Sequence, residues 1–87
     1  MEPRITINLT AGGELKIWLN PAGRDLLVRE LQALSETNEH FHLAPSEVQL
    51  SSQAYRPTDT VFEYGKVLCR PDEWDRLYFP HVIDEPG

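Results

Sequence analysis

Two seven-residue runs near the start of the chain, RITINLT (4–10) and ELKIWLN (14–20), alternate apolar and polar residues with only AGG between them. A period of two sends successive side chains to opposite faces of a strand. A short glycine-bearing link between two such strands closes a hairpin. Ile5, Ile7 and Leu9, with Leu15, Ile17 and Leu19, are therefore expected on the core side, while Thr6, Asn8, Lys16 and Trp18 share the other face. A hairpin of this kind constrains the rest of the chain, because something must be laid over its apolar side.

The next segment supplies a candidate cover. In NPAGRDLLVRELQALSE, Asn20 is suited to cap a helix and Pro21 to occupy its first position, where a missing N–H costs nothing. Leu27, Leu31 and Leu34, flanked by Leu26 and Val28, recur at helical spacing. The spacing predicts a main helix over 21–36, with Asn38 in a left-handed conformation just past its end. HFHLAP and EVQLS then read as short strands, either a tight hairpin or one irregular strand broken at Pro45, with Phe41, Leu43, Val48 and Leu50 inward and His40 and His42 outward. SQAYRPTD (52–59) reads as a surface loop.

TVFEYGKVLCR (60–70) is the longest strand candidate, yet neither face of it is wholly apolar. A bulge at Gly65 and Lys66 would put Phe62, Tyr64, Val67 and Cys69 on one side. PDEWDRLYFP predicts a short second helix, acidic in its first turn, with Trp74 and Leu77 packed inward. Residues 81–87 read as a short edge strand or a frayed tail. The order β-β-α-β-β-β-α implies one α+β domain spanning 1–87: an antiparallel sheet of four to five strands, one main helix on one face and a short C-terminal helix. The other sheet face would then lie open, carrying Trp18, His40, His42 and Gln49.

Composition limits what such a domain does. With 87 residues it buries only about 60–65% of its unfolded surface. Fourteen acidic against eight basic residues give a net charge of −6, which disfavours direct nucleic-acid binding and favours a basic partner. The apolar runs are far shorter than the ~20 residues of a membrane span, and MEPRITINL lacks the features of a signal peptide, so a cytoplasmic location without membrane contact is expected. A single cysteine, Cys69, offers neither an internal disulfide nor a cysteine-based zinc site. Placed in a strand expected to be buried, it also makes a poor nucleophile.

The histidines of EHFHL (39–43) bear most directly on function. His40 and His42, two apart on a strand, project from one side and can share an ion, but a zinc or iron site needs a third ligand, from Glu39, His81, Asp84 or another strand, that local spacing does not supply. No nucleophile turn, phosphate-cradling loop or paired-carboxylate motif accompanies them, so no catalytic residue and no cofactor are assigned. The residues best suited to a partner are Trp18, His40, His42, Glu39 and Tyr55, on or beside the face expected to be open.

The run GRDLLVRELQALSETNEHFHLAP (23–45), followed by DTVFEYGKVLCRP (59–71), resembles the small immunity proteins of bacterial polymorphic toxin systems, specifically the immunity protein 32 type. The resemblance covers about half the chain and rests on the leucine-rich helix, the H-x-H-L segment and the late aliphatic strand. It implies a non-enzymatic protein that binds and neutralises a cognate toxin, and it transfers no contact residue. Combined with the charge, it makes a basic toxin domain the expected partner of a monomer or weak homodimer. The alternatives are a small metal-binding or catalytic domain using His40 and His42, and a homo-oligomerising structural module.

Overall fold

The computed structural model describes residues 1–83, in which five strands, two α-helices and one 3₁₀ turn make an α+β fold with antiparallel sheets. The hairpin forms in the register its alternation requires. Strands β1 (Ile5–Leu9) and β2 (Leu15–Leu19) run antiparallel, with Ile7 opposite Ile17 and Thr6 opposite Trp18. In the link, the Thr10 N–H donates to the Glu14 carbonyl and the Gly13 N–H to the Thr10 carbonyl, each at 2.9 Å. Gly13 has φ of 90°, a conformation that side-chain-bearing residues resist.

Helix α1 (Pro21–Gln32) starts where the sequence places it. Asn20 Oδ1 accepts the Gly23 N–H at 2.7 Å and the Arg4 N–H at 2.8 Å, while its Nδ2 donates to the Glu2 carbonyl at 2.9 Å. One side chain thus caps the helix and fastens it to the segment entering β1. Gly23 makes that closeness possible, since a Cβ there would lie 2.4 Å from the Arg4 carbonyl oxygen. The helix stops at Gln32, short of the expected 36, and Asn38 is not left-handed. Instead Ser35 and Asn38 exchange backbone hydrogen bonds at 3.0 and 3.2 Å, and Asn38 Nδ2 donates to the Ala33 carbonyl at 2.9 Å. Short polar side chains here offer the backbone an alternative to another helical turn.

The expectation of one sheet of four to five strands is corrected, because the strands divide into two sheets. One has the order β2-β1-β4, with β4 at Thr60–Phe62; the other pairs β3 (His40–Leu43) with β5 (Gly65–Leu68). TVFEYGKVLCR is not a single bulged strand. It breaks at Glu63 and Tyr64, so that Phe62 faces Ile7 across one sheet and Val67 faces Phe41 across the other. Val67 packs on the core, whereas Phe62, Tyr64 and Cys69 are exposed. EVQLS is not a strand either, yet Val48 and Leu50 are buried as its pattern implies. Two hydrogen bonds hold this segment down, from the Val48 N–H to the His42 carbonyl at 3.2 Å and from the Ser51 N–H to the Ile5 carbonyl at 2.7 Å.

The core is small: Ile5, Phe41, Val48 and Leu50, ringed by Ile7, Leu26, Leu27, Leu34, Leu43 and Val67. It lies where the Ile5 end of β1, the helix and the inner face of β3–β5 converge. Helix α2 (Asp72–Tyr78) stands apart from it, with the 3₁₀ turn Pro80–Val82 as its main neighbour. Asp72 and Glu73 occupy its first turn as read from sequence, and Asp75 joins them there. Trp74 and Leu77 do not pack inward, since Leu77 is exposed and Trp74 sits beneath the Arg70 guanidinium, 4.1 Å from the ring centroid. Of the edge strand or tail expected over 81–87, His81 and Val82 belong to the 3₁₀ turn, and residues 84–87 lie outside the described residues. No helix among the described residues is long and apolar enough to cross a membrane.

Candidate functional site

The hairpin's apolar face is covered only toward Ile5 and Ile7, which join the core. The polar face is covered: Thr6 is 1% exposed and Asn8 0%. The loop 52–59 folds across it, and the Tyr55 ring stacks on the Trp18 indole with centroids 4.0 Å apart and planes 12° from parallel. Beneath the stack, Trp18 Nε1–H donates to Asn8 Oδ1 at 2.8 Å and Asn8 Nδ2–H donates to Asp59 Oδ2 at 2.7 Å. The buried amide is therefore served on both sides, which burial of a polar group demands. Asp59 Oδ1 is buried and has no hydrogen-bond partner among the described residues. Trp18 is thus half-buried in a small polar and aromatic lock rather than free on an open surface.

The other candidate residues lie on the second sheet. His40 and His42 share the outer face of β3, their rings edge to face with centroids 5.1 Å apart, opposite Leu68 and Lys66 of β5. Glu39 is drawn to Arg70, whose Nη1 donates to its Oε2 at 2.9 Å, and its carbonyl accepts the Cys69 N–H at 2.7 Å. The His42 N–H is taken by the Glu47 carboxylate. The five candidates thus fall into two groups, Trp18 with Tyr55 on one sheet and Glu39, His40 and His42 on the other. Among the described residues, no three His, Cys, Asp or Glu side chains are placed to hold a metal ion.

Sequence reasoning missed the surface that the fold leaves bare. Leu15 is 58% exposed, Ile17 55%, Leu19 41%, Phe62 40% and Leu9 37%, and the strand pairings put all five on one side of the β2-β1-β4 sheet. The helix meant to cover them reaches only the Ile5 end and makes little contact with β2. The length of the helix as it forms accounts for this. A helix of 12 residues is about 18 Å long and offers one apolar stripe, too little to cover both the hairpin and the Phe41 strand. A second feature is an open cavity of about 710 Å³ lined by Leu68, Cys69, Arg70, Trp74, Asp75, Phe79 and Val82.

Fold and surface together define a small α+β domain with one uncovered, uncharged apolar sheet face. Set against protein-family models, curated proteins and solved structures, the chain matches none.

Proposed function

We propose that this chain is a non-enzymatic binding protein that neutralises a toxin domain by direct contact, with the open face of the β2-β1-β4 sheet as its docking surface. The observation that carries the reading is that face itself, five large apolar side chains left 37–58% exposed beside a core that, among the described residues, holds four buried hydrophobic residues. Contiguous apolar surface of this kind is a feature of interaction sites. The net charge of −6 supplies the second element, since an acidic protein steers toward a basic partner and speeds their encounter. The resemblance of residues 23–45 and 59–71 to immunity proteins makes a toxin the partner of choice. In this mechanism, electrostatics governs the association rate, while Ile17, Leu19 and Phe62 govern how long the complex lasts.

The test is to co-express the chain with the product of each gene neighbouring its own that arrests growth, followed by calorimetry with the purified pair. The proposal expects growth to be restored, and Ile17→Asp to weaken the complex by about 30-fold or more, as a central interface position does. Growth that stays arrested beside the wild-type chain would overturn the toxin reading. An unchanged affinity for Ile17→Asp would move the contact off this face.

A further inference from the structure

We infer that the outer edge of β2 takes an extended segment of a basic partner protein as a fourth strand of the β2-β1-β4 sheet. The inference rests on the proposal that a partner docks at this sheet, and it adds the bonds by which the partner is held. The hairpin ladder fixes which backbone groups are at issue. At its two ends the Thr10 N–H donates to the Glu14 carbonyl at 2.9 Å and the Asn20 N–H to the Arg4 carbonyl at 3.1 Å. Antiparallel pairs alternate between bonded and unbonded. With Asn8 opposite Lys16 and Thr6 opposite Trp18, it is therefore Lys16 and Trp18 that bond to β1. The N–H and C=O groups of Leu15, Ile17 and Leu19 point away from the sheet. All three residues are exposed, and no loop or side chain among the described residues bonds to their backbone.

The other strand edges are closed or short. On β3 the outward-facing His42 is plugged on both sides, its N–H by the Glu47 carboxylate and its carbonyl by the Val48 N–H at 3.2 Å. The far edge of β1 is taken by β4 and by the Ser51 N–H, which donates to the Ile5 carbonyl at 2.7 Å. By the same alternation β4 presents only Val61, and β5 presents Leu68 beside the charged Lys66. Edges are ordinarily guarded by charge, proline, a bulge or a cover. The outward positions of β2 have none of these, and Lys16 is turned to the covered face, 5.6 Å from the centroid of the Trp18 ring. Donors and acceptors vacant at every second residue are matched by another extended backbone, whose alternate side chains would extend the apolar face past Ile17. Charge selects the source of that strand. A second copy brings −6 against −6, whereas a basic segment is attracted to the acidic chain and to the exposed Glu14 at the start of the edge.

Amide hydrogen exchange followed by NMR is the experiment, because it reads the backbone edge rather than the side-chain face. In the free chain the Leu15, Ile17 and Leu19 amides should exchange about tenfold or more faster than those of Lys16 and Trp18. The probe is a capped peptide of sequence RITINLT, which copies residues 4–10, alternates apolar residues and carries a positive charge. Near saturation with it, the three fast amides should slow by about fivefold or more. Methylating the alternate set of peptide nitrogens that faces β2 should abolish the slowing, and methylating the other set should not. The inference is overturned by amides at 15, 17 and 19 that are already as slow as their neighbours, by no slowing at the peptide's solubility limit, or by equal action of both methylated peptides. Slowing that tracks the chain's own concentration without peptide would assign the edge to a second copy and overturn the basic partner. A growth-arresting product that binds without slowing these amides would sink strand addition and leave the toxin reading standing. Slowing by the peptide when no such product binds would sustain strand addition and sink the toxin reading alone.

Discussion

At the scale of single residues, Asn8 decides which side of the hairpin is covered. Its amide joins Trp18 to Asp59, and that pairing draws the 52–59 loop over a face whose alternation reads as wet. Asn8→Ala leaves the Trp18 N–H and an Asp59 oxygen without partners, and buried groups stripped of their partners cost about 1–3 kcal/mol. Urea denaturation should show a loss in that range. In a Trp74→Phe background, where Trp18 is the remaining indole, Tyr55→Ala should shift the fluorescence emission to the red as the ring meets water. The alternation that assigns Trp18 to the side of Thr6 and Asn8 was legible, because neighbours along a strand fix it. Which side would be covered was not legible. That outcome depends on Tyr55 and Asp59, roughly forty residues away, reaching back to the hairpin, and such a long loop closure leaves no local pattern.

At the scale of elements, the start of α1 follows from its own residues, whereas the run 60–70 does not. Asn20 and Pro21 announce the helix by local chemistry, and it begins there. The run 60–70 defeats a local reading because its mixed faces reflect neither a bulge nor an error in parity but service in two sheets, Phe62 beside Ile7 and Val67 beside Phe41. The helix start yields a prediction against propensity. Gly23→Ala should gain about 1 kcal/mol from helix preference yet destabilise the protein overall, because a Cβ 2.4 Å from the Arg4 carbonyl oxygen forces the helix off the sheet. Thermal unfolding followed by circular dichroism should show a lowered midpoint. Asn20→Ala should cost about 1–2 kcal/mol in the same assay, since it removes the cap and the tie to Arg4 together.

For the whole molecule, the apolar residues divide into those that hold the fold and those that the fold displays. Leu50 belongs to the first kind and Leu15 to the second. Leu50→Ala should cost about 2–5 kcal/mol in denaturant titrations, and Leu15→Ala, measured in dilute protein where no partner is bound, well under 1.5 kcal/mol. Comparable losses at both sites would mean that the hairpin face is covered in the folded monomer. The order of strands also carries a consequence in time. Strand β1 is central, and its two neighbours arrive very differently: β2 lies across a five-residue link, but β4 must return over roughly fifty residues of chain. The hairpin can form within microseconds, leaving closure of β4 as the slow event. Until residues 60–62 arrive, β1 offers a ready-paired strand with one vacant edge. A chain still emerging from the ribosome, or cut before Thr60, is therefore the species most open to borrowing β4 from a neighbour.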